Sequence, residues 1–257
     1  NPQIEAMMKS YRRLKPSKPR APRLPAVYPI LKRWCLWLLH PSRARTTATS
    51  LLLTMFYGFL RPGEATGSEF SPPPVRAHLS FANDGSYVTL HLPESKTDIY
   101  RLGVDIRIAS NGSDLCPVHF LRIIFDGALF KDPSAPLFQH PSGAPFLYSE
   151  LAFLIHDLCV HNGLDPKLYK PHSIRIGAAT TAAVLGFPAD VIRTLGRWSS
   201  SCYQLYTRMT SERFAAVSSS FASSRPFSLV PSEFGNLLSI PATKISFENI
   251  GVIFSRP

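Results

Sequence analysis

Acidic residues are scarce in this chain of 257 residues: 17 Asp and Glu stand against 28 Lys and Arg. They are also scattered. No D-x-D pair or carboxylate trio falls at a spacing that would hold Mg²⁺, which argues against a metal-dependent nuclease or transposase. The histidines at 156, 161 and 172 fit no strong zinc spacing and no cysteine supports them, so no metal or cofactor is expected. The four cysteines, at 35, 116, 159 and 202, show no paired spacing and read as reduced, intracellular thiols. Long apolar runs are missing too. The longest, Ser50 to Leu60, falls short of the roughly 18 residues of a membrane span, and no signal peptide is visible. The chain opens on Asn1 rather than Met, which reads as a piece of a longer protein.

What is abundant is positive charge, and it is concentrated. Of the net charge of +11, residues 1 to 45 supply +10, with eleven Lys or Arg against the single acid Glu5. Such an arm suits nucleic-acid phosphates, although a solvated tail has the same composition. Within it, Asn1 to Pro25 alternates Pro with Lys and Arg, a pattern that favours extended backbone. The expected organisation is therefore a basic, Pro-rich arm over 1–27, one domain over 28–223, and a weakly patterned tail over 224–257.

Local signals predict the elements of that domain. Tyr28 to His40 is an amphipathic helix, and Ser42 caps a second, largely buried helix running to about Leu60. Three strands follow, at about Ala77 to Phe81, Tyr87 to Leu92 and Val104 to Ile108. The first two are joined by the hairpin turn Asn83-Asp84-Gly85. Helices are predicted over Cys116 to Phe125, with Pro117 in its first turn, and over Ser149 to Asn162, closed by Gly163. Another begins near His172. Pro188 reads as the first position of a helix that Gly196 ends, and Thr210 to Phe221 forms the last.

The chemistry gathers between Pro171 and Arg208. His172 and Arg175 lie three apart, on one helical face. Arg197 and Trp198 follow Gly196, and Tyr206 lies nine residues beyond Arg197. A guanidinium binds phosphate oxygens in pairs, an imidazole moves protons near neutral pH, and a phenol can become covalently attached.

This stretch resembles the signature half of the tyrosine recombinases, or phage-integrase family. Their pattern is H-x-x-R, about twenty residues, L-G-[H/W], then a Tyr nine residues on. Here it matches His172, Arg175, Leu195-Gly196 and Tyr206 without a gap. The Gly196-Arg197-Trp198 variant is most similar to the recombinases of eukaryotic mobile elements, the DIRS-like retrotransposons and Cryptons. Upstream, FYGFLRPGEATG resembles the family's first box, T-G-L-R-x-x-E, with Arg61 as its arginine and Glu64 as its carboxylate. Leu137-Phe138 resembles a short landmark of the family. The resemblance spans about Ser42 to Phe221.

The resemblance implies an α+β, mainly α domain: seven or eight helices with a small three-stranded antiparallel sheet at one edge. It implies that Arg61 and Arg175 hold the scissile phosphate, that Glu64 supports them, and that His172 assists proton movement. Lys96, on the hairpin between the second and third strands, would protonate the leaving oxygen. Tyr206 would be the nucleophile, with Tyr203 competing at a spacing three residues short. At the family's His/Trp position two arrangements are open. Arg197 has the ungapped spacing and would face the phosphate while Trp198 buttresses it. Alternatively, a turn at Gly196 would bring the Trp198 indole to that place. The implied activity is site-specific cleavage and rejoining of double-stranded DNA through a 3′-phosphotyrosyl link without metal or ATP. The implied assembly is a tetramer on DNA, with no membrane partner, and the implied location is intracellular, nuclear in a eukaryote. A type IB topoisomerase shares the chemistry, and a catalytically silent, domesticated DNA-binding module is the non-enzymatic alternative.

Overall fold

The computed structural model describes residues 23–39, 42–67, 72–93 and 103–198. Helices α1 (Tyr28–Leu38), α2 (Arg43–Tyr57) and α3 (Pro62–Thr66) precede a 3₁₀ turn (Arg76–His78) and strands β1 (Leu79–Phe81), β2 (Tyr87–Leu92) and β3 (Val104–Ala109). Helices α4 (Pro117–Asp126), α5 (Tyr148–His161), α6 (His172–Val184) and α7 (Ala189–Leu195) complete the described part. The result is mainly helical α+β, with seven α-helices and one antiparallel sheet among the described residues.

Helix α2 is the axis of the bundle. Every residue from Leu51 to Phe56 is buried, and it packs against α1, α4, α6 and α3. A helix surrounded on all sides needs no apolar stripe. One inward hydroxyl is accommodated locally, where Thr54 donates to the Ser50 carbonyl at 2.7 Å. The helix is shorter than the sequence suggests, ending at Tyr57 rather than Leu60, and Ser42 occupies the cap position without a side-chain cap bond. Cys35, Cys116 and Cys159 are free, buried thiols.

The sheet order is β1-β2-β3, with Leu79 opposite Leu90, Val88 opposite Ile108 and Leu90 opposite Ile106. Alternate residues Val88, Leu90 and Leu92 turn inward, as period-two patterning requires. β1 begins at Leu79 rather than Ala77, because the Arg76 and Ala77 N–H groups bond to the carbonyls of Ala135 and Pro133 instead of to a strand. The hairpin turn at 83–85 is present, with Gly85 at φ 70° and Asp84 accepting from the Ser86 N–H and hydroxyl. Pro117 begins α4 as expected, whereas Pro188 is the residue before α7, with extended backbone, rather than its first turn.

Two helix ends position the site. After α2, the Leu60 N–H reaches the Met55 carbonyl and the Phe59 N–H reaches that of Phe56. After α7, the Trp198 N–H reaches Arg193 and the Arg197 N–H reaches Thr194. Both are Schellman closures, whose pivotal residue adopts the left-handed conformation usually given to glycine. Here those residues are Phe59, at φ 50°, and Arg197, at φ 53°, the two non-glycine residues with positive φ among the described ones. The glycines stand one position earlier, at Gly58 and Gly196.

Candidate active site

Glu64 is the centre of a cation cluster. The Arg61-Pro62-Gly63-Glu64 sequence starts α3, and Glu64 reaches back to accept the Arg61 backbone N–H at 2.7 Å. The same carboxylate takes the Arg61 guanidinium at 2.7 Å and the Arg197 guanidinium at 2.6 Å, with Arg175 at 3.9 Å. Glu64 is only 3% exposed. Burial pushes its pKa up, but Arg197, the Arg61 N–H, Arg61 and Arg175 together outweigh this and hold it below the ordinary carboxylate range.

The remaining donors meet the two helix ends. Arg175 donates to the Phe59 carbonyl at 2.9 Å and to the Gly196 carbonyl, bridging both Schellman turns. Arg197 donates to Gly58 at 3.2 Å and to Phe59 at 3.4 Å. Carbonyl ends of helices carry partial negative charge, so they suit guanidiniums. Trp198 is buried, lies 4.6 Å from the Arg175 guanidinium carbon, and meets the Phe59 ring edge-on at 6.5 Å. Arg175 is covered completely, at 1% exposure, whereas Arg61 and Arg197 keep 21% and 15% of their side chains open.

His172 opens α6 at the margin of the cluster. Burial and the nearby charges of Arg175, Arg23 and Arg61 push its pKa down to about 4, so the imidazole is neutral at pH 7. Arg23 arrives there because the extended segment before α1 is tied to α6, with the Ala26 N–H donating to the Ser173 carbonyl at 2.9 Å.

Arg61, Glu64, His172, Arg175, Arg197 and Trp198 thus converge in one place. Lys96, Tyr203 and Tyr206, together with the arm over 1–22 and everything after Trp198, lie outside the described residues. Gly196 ends α7, as the sequence suggests. That residue is right-handed, at φ −79°, and its lack of a side chain serves close packing: a Cβ there would lie 1.7 Å from Trp198 Cζ3. The turn pivots on Arg197 instead. Sequence reasoning missed Phe59, although one signal was present. Phe59 stands where the T-G-L-R box has its glycine, and an unusual residue at a left-handed position invites a reason.

No family model matches the chain, and no curated protein matches its sequence. Solved structures do match. The XerH site-specific recombinase bound to palindromic difH substrate, in a post-cleavage complex, aligns with a TM-score of 0.60 at 13% identity over 81% of this chain and 56% of that one. The Tn1549 transposon integrase in complex with a circular intermediate DNA aligns with 0.57 at 14% identity, over 80% and 68%. The XerA recombinase aligns with 0.54 at 18% identity, over 82% and 67%. The chain spans just over half the length of the XerH chain it matches. The fold is that of a tyrosine recombinase catalytic domain.

Proposed function

We propose that this chain is the catalytic domain of a tyrosine recombinase, acting on double-stranded DNA. The observation that carries the reading is the convergence of three guanidiniums and a neutral imidazole around one buried carboxylate, at the end of α2 in this fold. Phosphoryl transfer at a phosphodiester needs charge stabilisation and positioning above all, and protein cations supply both.

In the proposed reaction, Arg61 and Arg197 hold the non-bridging oxygens, since their forks are the accessible ones. Arg175 adds its charge from beneath. The Tyr206 phenol oxygen attacks phosphorus, and its proton passes to neutral His172. The bond from phosphorus to the 5′ oxygen breaks, Lys96 protonates that oxygen, and a 3′-phosphotyrosyl link remains. Attack by another 5′ hydroxyl reverses the step, so the link conserves the bond energy and rejoining requires no ATP. Four protomers on two duplexes would complete an exchange. The Gly196-Arg197-Trp198 sequence favours a eukaryotic mobile element of DIRS-like or Crypton type, working in the nucleus.

The test is covalent trapping. The chain is incubated with a pool of end-labelled duplexes of randomised sequence, and adducts that survive denaturation are isolated and their DNA ends sequenced. An adduct that Tyr206→Phe abolishes supports the reading. Loss with Tyr203→Phe instead moves the nucleophile. DNA binding with no adduct supports a silent DNA-binding module.

A further inference from the structure

The proposed reaction gives Phe59 no part, and its sequence surroundings name none. Its geometry does. A left-handed aromatic residue is uncommon, and such a conformation persists only where the surroundings over-determine it. Here the Phe59 carbonyl accepts from Arg175 at 2.9 Å and from Arg197 at 3.4 Å, while the preceding carbonyl, of Gly58, accepts from Arg197 at 3.2 Å. The two arginines come from α6 and from the turn after α7, more than a hundred residues along the chain. The other non-glycine left-handed residue is Arg197 itself. Both strained positions therefore meet at one set of hydrogen bonds. The Phe59 ring, 7% exposed, lies edge-on to Trp198, which covers Arg175.

We propose that Phe59 is a positioning residue of the phosphate site: its left-handed backbone aims one carbonyl at both Arg175 and Arg197, and its ring props the Trp198 indole over Arg175. This rests on reading the cluster as a phosphate site. If the turn relaxed to right-handed backbone, the carbonyl would point elsewhere, and both forks would lose a shared acceptor. The ring is what holds the turn against that relaxation, so ring and carbonyl act together. Glycine at this position needs no such support, because left-handed backbone costs it little.

That last point supplies a test whose outcome differs from simple packing. Phe59→Ala and Phe59→Gly both delete the ring, but only alanine resists φ 50° once the ring is gone. The probe is inorganic phosphate. Its affinity for the full chain is read from the rise in Tm with phosphate concentration, against chloride at equal ionic strength. Phe59→Ala should weaken phosphate binding about tenfold, given the cost of a left-handed alanine, and Phe59→Gly should stay within about threefold of the unsubstituted chain. A purely structural role predicts lower stability for both variants but phosphate affinity that does not differ between them, since a helix cap at a left-handed position by itself also favours glycine over alanine. Phe59→Ala binding phosphate as well as Phe59→Gly would overturn the proposal. If losing the ring unfolds the chain, Phe59→His and Phe59→Ile make the same comparison with bulk retained. Histidine tolerates the left-handed region and isoleucine does not, so His must bind the more tightly, and parity sinks the idea. An unsubstituted chain that ignores phosphate refutes the phosphate site and this proposal with it. A positive response with the variants in the wrong order refutes this proposal alone.

Discussion

Replacing Glu64 by Gln removes a carboxylate that three guanidiniums share, and the consequence follows from the geometry. Arg61 and Arg197 lose contacts of 2.7 and 2.6 Å and Arg175 loses a neighbour at 3.9 Å, while the carbonyls of Gly58, Phe59 and Gly196 still accept from Arg175 and Arg197. The amide also turns an N–H toward donors. Glu64 and Arg175 are almost entirely enclosed, so water cannot replace the lost charge there. Breaking a buried ion pair by removing one partner costs ~3–5 kcal/mol. A domain of this size shifts by about 2–4 °C per kcal/mol, so Tm should fall by roughly 6–20 °C in low-phosphate buffer. Added phosphate should restore more of that stability in Glu64→Gln than it adds to the parent chain, because the anion re-enters a cluster that now lacks one. Thermal unfolding by circular dichroism, with and without phosphate, reads both effects. An unchanged Tm without phosphate would mean that Glu64 does not hold the cluster together, and a phosphate response no larger than the parent's would mean that the anion binds elsewhere.

The depressed pKa of His172 makes a pH prediction. Between its unfolded value of 6.5 and its folded value of about 4, the unfolded chain binds a proton that the folded chain refuses, so stability is lost as pH falls through that window. His172→Gln should remove ~2 kcal/mol of the difference in unfolding free energy between pH 7.5 and 4.5, and an identical pH profile would refute the assignment. Gly196→Ala would place a Cβ 1.7 Å from the Trp198 ring. The indole must then leave Arg175, lowering stability by ~1–3 kcal/mol and red-shifting tryptophan emission, whereas unchanged emission would contradict the packing. Arg197→Ala should slow formation of the covalent DNA adduct roughly 10²-fold, as for one lost transition-state donor. It should cost less stability than Glu64→Gln, because Arg61 and Arg175 still neutralise the carboxylate. Trp198→Ala should chiefly destabilise, by ~3–5 kcal/mol. If Trp198→Ala folds normally and loses cleavage while Arg197→Ala cleaves well, the two roles are exchanged.

Several features of this protein are decided by residues close together in the sequence. Arg61 and Glu64 come together because three positions of helix initiation join them, through a carboxylate that reaches back to its own cap. Pro117 starts a helix and the 83–85 turn reverses a strand for equally local reasons. The near-continuous apolar run from Leu51 to Phe56 marks α2 as buried. What the tertiary structure alone decided is everything that joins the halves of the chain. Whether Gly196 or Arg197 takes the left-handed backbone depends on where the Trp198 ring lies, and that ring is placed by Phe59 and Arg175. The neutrality of His172 depends on burial and on Arg23, which is delivered by a segment tied to α6 from the far end of the sequence. The shared acceptor of Arg175 and Arg197 is a backbone carbonyl, and a carbonyl leaves no mark on a sequence. Its direction is set by one φ angle, which side-chain identity biases but only the packed surroundings fix.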